Sequence, residues 1–228
     1  DGAIRVARFD GRSWVSYGPS DGLPGPSESA YAVAHALPTK DGVFVGTGAG
    51  IYRLSDGRWE RAWPRDPSPG MDLRNLLAIS RDELWATDYQ SGLWHFQGDA
   101  WTRDLMDPSH PLDAVHALTL APDGTLWAAG SDGVGYRRDG RWTVADAGDA
   151  SAITVGRDGT VWVGGGSGEE CRVSTLQLDG TAWVRRAVAG CPPGSFGLSS
   201  LAIDASGGLW AGTAPGCALG MSGCTQGG

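Results

Sequence analysis

At 228 residues the chain has room for one large all-β domain or two small ones, and a chain of this size buries roughly 70–75% of its unfolded surface. Its 37 Gly, 13 Pro and 11 Trp, with no long helix-forming run, favour strands and turns. Lys and Arg number 18 against 26 Asp and Glu, a net charge of −8, so the long-range field repels phosphate backbones and anionic bilayers and argues against nucleic acid as a partner.

No stretch approaches the roughly 18 apolar residues that span a bilayer, and membrane insertion by this chain is not expected. The chain does not open on a basic segment followed by an apolar one, so no uncleaved signal peptide is expected either.

In chain order, Ile4–Phe9 and Trp14–Tyr17 flank Asp10-Gly11 and read as a hairpin. Gly22-Leu-Pro24 follows, and from there one unit repeats. A first aromatic mark falls at Phe44, Trp85, Trp127, Trp162 and Trp210, usually just after a turn signal such as Pro122-Asp-Gly124 or Arg157-Asp-Gly159. A second mark falls at Trp14, Trp59, Trp101, Trp142 and Trp183, at intervals of 45, 42, 41 and 41 residues. Four of these sit in one phrase, as in Asp56-Gly-Arg-Trp59 and Asp139-Gly-Arg-Trp142. Asp-Gly between alternating apolar runs supplies the positive φ of a tight hairpin turn.

The third period therefore reads as four strands, A (Val115–Leu120), B (Leu126–Ala129), C (Val134–Arg137) and D (Trp142–Ala145). Four antiparallel strands in every 41 or so residues make the blade of a β-propeller. The absence of a 10–15-residue helical pattern between strands argues against a parallel βαβ fold.

The two sets of marks are offset by half a unit. Trp14 lacks strands A and B before it, and Trp210 lacks C and D after it. The expected architecture is all-β: a five-bladed propeller of four-stranded antiparallel blades, closed by pairing the N-terminal strands (C, D) with the C-terminal strands (A, B). The blades are 19–63, 64–105, 106–146, 147–188, and 189–228 plus 1–18.

Gly22-Leu-Pro24, Asp123-Gly-Thr-Leu-Trp127, Gly50-Ile-Tyr-Arg53 and Asp56-Gly-Arg-Trp59 resemble the two-component regulator propeller repeat, over nearly the whole chain. The resemblance implies an extracytoplasmic sensor or ligand-recognition module, often fused to a membrane helix and a histidine kinase. Five blades departs from the larger rings usual there, and the motif residues are structural, so no catalytic residue carries over.

All four cysteines fall late. Cys171 lies in a lengthened B–C loop of the fourth blade, Cys191 between strand D and the next A, and Cys217 and Cys224 in the equivalent B–C loop of the last blade. B–C and D–A connections of a meander emerge on one face, so the four thiols should cluster. Two disulfides are expected, preferably Cys171–Cys191 and Cys217–Cys224 among three possible pairings. They imply an oxidising compartment, hence a secreted, periplasmic or cell-surface location. A zinc site of four thiolates is the alternative, weakened by the lack of a Cys-x-x-Cys spacing.

His110-Pro-Leu-Asp113-Ala-Val-His116 is the only local His/carboxylate cluster, read as a polar D–A loop with an inner-strand histidine in preference to a metal site. Alignment of strand A puts Asn75, His116, Ser151 and Ser199 at one position, with His35 near it. With Asp113 these form a candidate ligand-binding ring at the channel mouth. The acidic residues of the remaining D–A loops, such as Asp21, Asp66 and Asp149, could pair for glycoside hydrolysis, but turn chemistry is the favoured reading. The ten marked aromatics, Trp14, Phe44, Trp59, Trp85, Trp101, Trp127, Trp142, Trp162, Trp183 and Trp210, are expected to pack as wedges between blades. Trp63 and Trp94 lie outside the marks, available to stack on a sugar or to cover a blade edge.

The expected function is a non-enzymatic extracytoplasmic binding or interaction module using the D–A/B–C loop face, with a protein or carbohydrate partner and no cofactor. The alternatives are a lectin, which would show repeated pockets between blades, and a structural subunit of a surface assembly. A glycosidase or lyase is less favoured. A place within a larger protein fits all of these.

Overall fold

A computed structural model of the protein describes residues 4–25, 35–39, 42–63, 73–80, 83–88, 92–97, 100–104, 112, 115–146, 148–166, 170–179, 182–191 and 195–215. The chain divides into two compact units, Asp1–Leu105 and Met106–Gly228. Pro19–Asp21 forms a 3-10 turn, and the strands among the described residues all pair as antiparallel sheet.

The first unit holds a hairpin, β1 (Val6–Phe9) and β2 (Trp14–Tyr17), and two four-stranded meanders. One comprises β3 (His35–Thr39), β4 (Gly42–Thr47), β5 (Gly50–Ser55) and β6 (Arg58–Trp63). The other comprises β7 (Leu73–Ser80), β8 (Glu83–Asp88), β9 (Gly92–Gln97) and β10 (Ala100–Asp104). The second unit holds the meanders β11 (Val115–Leu120), β12 (Leu126–Gly130), β13 (Gly133–Arg138), β14 (Arg141–Asp146) and β15 (Ala152–Val155), β16 (Val161–Gly165), β17 (Arg172–Asp179), β18 (Ala182–Gly190). It ends on a hairpin, β19 (Ser195–Ile203) and β20 (Leu209–Pro215). Four-stranded antiparallel sheets repeating along the chain are blades of the β-propeller kind. The two terminal hairpins are the halves that the five-blade reading joins.

Local chemistry explains the strand ends. Asp56-Gly57 and Asp139-Gly140 each turn in two residues with positive φ at both, 48° and 80° in one and 52° and 78° in the other. That is the type I′ geometry whose twist matches a hairpin, and the neighbouring strands pair Ser55 with Arg58 and Arg138 with Arg141. The A–B turns of the second unit use a different device. Asp123, Asp158 and Asp204 each accept the backbone N–H two residues on, from Thr125, Thr160 and Ser206 at 2.8–3.0 Å.

The register shows why each repeat needs two aromatic marks. On β12 Trp127 lies opposite Tyr136, whereas on β14 Trp142 lies opposite Arg137, one residue on and so on the other face of the sheet. Strand-B and strand-D marks thus point to opposite faces, and where two sheets of one unit stack they meet. Trp183 of β18 stands edge-on to Trp127 at 5.1 Å, within a core of Ala129, Val134, Ile153, Val161, Val163 and Leu176. In the first unit Trp101 and Trp63 join Phe44, Ile51, Leu76 and Leu84, while Trp59 packs with Ile4, Leu23, Val45 and Tyr52, edge-on to Tyr17. Gly22, at φ 98°, passes so close to this last group that a Cβ there would run into the Trp59 carbonyl.

Two marked aromatics depart from the wedge expectation. Trp14 is 68% exposed and Trp210 67%, because each sits on a terminal hairpin whose marked face has no described sheet packed over it. The Trp14 ring lies 5.1 Å from that of Phe9, tilted by 35°, and the Trp210 Nε1–H donates to Asp204. Trp63 and Trp94, in contrast, are not free platforms: their rings lie 4.9 Å apart in the first unit's core.

Candidate functional site

Each meander presents two edges, one made of B–C and D–A connections and the other of A–B and C–D turns. The loop edge of the second unit is braced at several points. Cys171, just before β17, is bonded to Cys191, just after β18. Arg185 on β18 pairs with Asp146 at 2.6 Å and donates to the carbonyls of Gly148 and Asp149 at 2.8 and 3.0 Å, pinning the connection from the preceding sheet. Asp149 in turn accepts the Gly166 N–H at 3.0 Å. The Cys171–Cys191 bond removes these two thiols from the zinc alternative; Cys217 and Cys224 lie outside the described residues.

The expected channel-mouth residues separate by register. Ser151 Oγ donates to the Leu198 carbonyl at 2.7 Å, and His116 Nε2 lies 2.9 Å from Ser131 Oγ. In the two paired strands His116 and Ser199 are the extra residues at β-bulges, between Val115 and Ala117 and between Leu198 and Ser200. In β7 the corresponding extra residue is Arg74, and Asn75 pairs with Thr87 one position on, as His35 pairs with Gly46. A shift of one residue turns a side chain to the other face, so Asn75 does not share the position of His116 and Ser199, a correction to the aligned ring. Asp113 and His110 lie outside the described residues.

The turn edge of the second unit carries a groove of about 380 Å³ between its two complete sheets. Trp127, Tyr136 and Trp183 form its aromatic wall, and Asp123, Arg138, Arg157 and Asp158 surround its mouth. Arg138 Nη2 bonds Asp123 at 2.8 Å and Thr125 Oγ1 at 3.0 Å. Both carboxyls are held below the usual range, Asp123 first by the Thr125 N–H and Asp158 first by the Thr160 N–H, so both stay ionised well into acid. One sheet on, a groove of about 330 Å³ reuses Arg157 and Asp158 and adds Trp162, Ile203, Asp204 and Ser206. The sequence reading missed this edge because its charged residues lie in Asp-Gly turns. Period-2 counting was the available signal, since it places Thr125 with Trp127 and Tyr136 with Arg138 on one face.

No protein-family model and no curated protein matches the chain. Among solved structures it is similar to the extracellular domain of a hybrid two-component system protein from B. thetaiotaomicron, with a TM-score of 0.66 and 16% identity over 86% of this chain and 29% of that one. It is similar to PorZ, a surface component of the type-IX secretion system of Porphyromonas gingivalis, with a TM-score of 0.63 and 15% identity over 93% of this chain and 36% of that one. It is also similar to virginiamycin B lyase from Staphylococcus aureus, with a TM-score of 0.65 and 17% identity over 92% of this chain and 70% of that one. At these identities the likeness is one of fold. The chain spans about a third of the first two, and these propellers include both surface modules and an enzyme.

Proposed function

We propose that the chain is a non-enzymatic recognition module of the two-component regulator propeller type, working outside the cytoplasm with its loop edge as the partner-binding surface. The observation that carries the reading is the bracing of that edge by Cys171–Cys191 and by Arg185. Loops held in place before contact lose less conformational entropy on binding, which is the condition for a specific surface. A disulfide also suits an oxidising compartment, and the extracellular and surface proteins of similar fold agree with that setting. A glycan array and tryptophan fluorescence on the intact chain test this. Binding that falls at least tenfold in Asp149→Ala, with the circular dichroism unchanged, supports recognition at the loop edge. Turnover of a glycoside or lactone substrate would overturn the non-enzymatic reading.

The fifth blade belongs to the same proposal: residues 189–228 and 1–18 supply two strands each. Complementary two-stranded halves and apolar faces at Phe9, Trp14 and Trp210, each more than half exposed, support it. A second reading, a structural subunit of a surface assembly, draws on the similarity to PorZ and predicts that the screen finds no ligand.

A further inference from the structure

The turn edge of the second unit combines three properties that together suit a ligand. The first is shape: a groove of about 380 Å³ with one wall of aromatic rings lies within the size range of ligand sites. Trp183 and Tyr136 are only partly buried, so ring surface remains for a ligand. The second is charge. Two guanidinium groups and two carboxylates border the groove and cancel, in a chain whose net charge is −8. Arg138 is held by Asp123, but Arg157 makes no hydrogen bond or ion pair with another described residue. Each Asp accepts a backbone N–H on Oδ1 and a side-chain donor on Oδ2, from Arg138 on Asp123 and from the Thr160 hydroxyl on Asp158. A carboxylate oxygen with one such bond still has a lone pair for a further donor. The mouth therefore offers donors and acceptors together, without a net charge to favour an ion.

The third property is repetition. The neighbouring groove, about 330 Å³, shares the Arg157–Asp158 wall and has its own indole, Trp162. Adjacent grooves with a common wall suit a ligand that also repeats. An aromatic face stacks on the C–H face of a pyranose ring, while vicinal hydroxyls both accept from a guanidinium and donate to a carboxylate.

We propose that this turn edge binds a neutral polysaccharide, one pyranose unit resting on Tyr136 and Trp183 with its hydroxyls on Arg157 and Asp158, and a further unit of the chain entering the groove lined by Trp162. The proposal rests on the recognition reading for its extracytoplasmic setting, but it uses the opposite edge of the sheets. Neutrality follows from the cancelled charges at the mouth, and the negative charge of the whole chain disfavours a polyanion.

Native affinity electrophoresis of the intact chain tests it, in gels containing laminarin, xyloglucan, mannan or dextran, with polygalacturonate as the charged control. At least one neutral polysaccharide should retard the chain, and Arg157→Ala, a change at an exposed turn, should weaken retardation at least tenfold with an unchanged melting temperature. Tryptophan fluorescence should shift with that polysaccharide in the unaltered chain and not in Arg157→Ala. Retardation by polygalacturonate alone, retardation equal in Arg157→Ala and the unaltered chain, or no retardation by any neutral polysaccharide overturns the proposal. Retardation abolished by Asp149→Ala but untouched by Arg157→Ala would sink this site while leaving the loop-edge reading in place.

Discussion

Trp127 and Trp210 occupy the same place in the same phrase, one on a four-stranded sheet and the other on the terminal hairpin of the same unit. Trp127 is 3% exposed and Trp210 67%. The difference lies in the sheet that each ring has to pack against. Behind Trp127 stands a further sheet that brings Trp183 to within 5.1 Å; over Trp210 no sheet of its own unit is described. A blade mark is therefore a half-contact, and burial comes only when the next sheet supplies the strand-D indole of the opposite face.

The strongest way to probe this difference is to remove both rings in turn. Trp127→Ala should cost about 3–5 kcal/mol in urea unfolding, the usual loss for a large buried aromatic. The fifth-blade proposal predicts that Trp210→Ala approaches the same figure, because closure of the ring would set a further sheet against the exposed face of Trp210. A cost within about 0.5 kcal/mol, the range for exposed positions, would leave the hairpin open and sink closure. Replacing Cys171 and Cys191 by Ser should come next, destabilising the second unit by about 3 kcal/mol for a bridge of sequence separation 20. Hydrogen exchange resolved by strand should show the loss centred on β17 and β18.

The smallest effect is on pH. Asp204 is held well below the ordinary carboxylate range, first by Ser206 Oγ and then by Trp210 Nε1. Asp10 is lowered first by the Ser13 N–H and then by that of Arg12, and Asp123 and Asp158 by their own turn amides. These carboxylates bind protons less readily when folded than when unfolded, where their pKa is about 3.9. Their contribution is thus complete above roughly pH 4 to 5 and is lost as pH falls through the depressed folded values. The melting temperature should drop between pH 4 and pH 2, and less steeply in Asp123→Asn with Asp158→Asn. A profile unchanged by those substitutions would show that the turns do not carry the acid sensitivity.

Much of the fold was legible because its signals are local. Asp-Gly pairs and period-2 alternation placed Trp14–Tyr17 and Val115–Leu120 at their observed bounds. Meander topology alone was enough to bring Cys171 and Cys191 to one edge. What could not be read were the bulges: an extra residue in strand A changes which side chain faces which way without altering the aromatic spacing. Asn75 was misplaced for a simpler reason: it stands 10 residues before Trp85, whereas Arg74 stands 11 before it, as His116 does before Trp127, and the pairing agrees with that count. The turn-edge groove was hidden for another reason. Arg157 and Asp158 look like ordinary turn residues until the preceding sheet brings Tyr136 and Arg138 beside them. The residue opposite each strand-B aromatic also differs from sheet to sheet, as Arg53, His95, Tyr136 and Thr175, and nothing in the repeat marks it.

The bond between Cys171 and Cys191 also decides how this part of the chain answers to pulling. Strand β18 is the outer strand of its sheet and mostly exposed, so it would be the first to peel away under tension. With the bridge intact, force entering at residue 171 leaves at residue 191 through sulfur, and the intervening hairpin of β17 and β18 carries none of it. Its contour, on the order of 70 Å at 3.3–3.6 Å per residue, stays locked until a reductant opens the bond. A tether anchored on either side would lengthen in an oxidising medium by less than its sequence allows, and would release that slack in a single step on reduction.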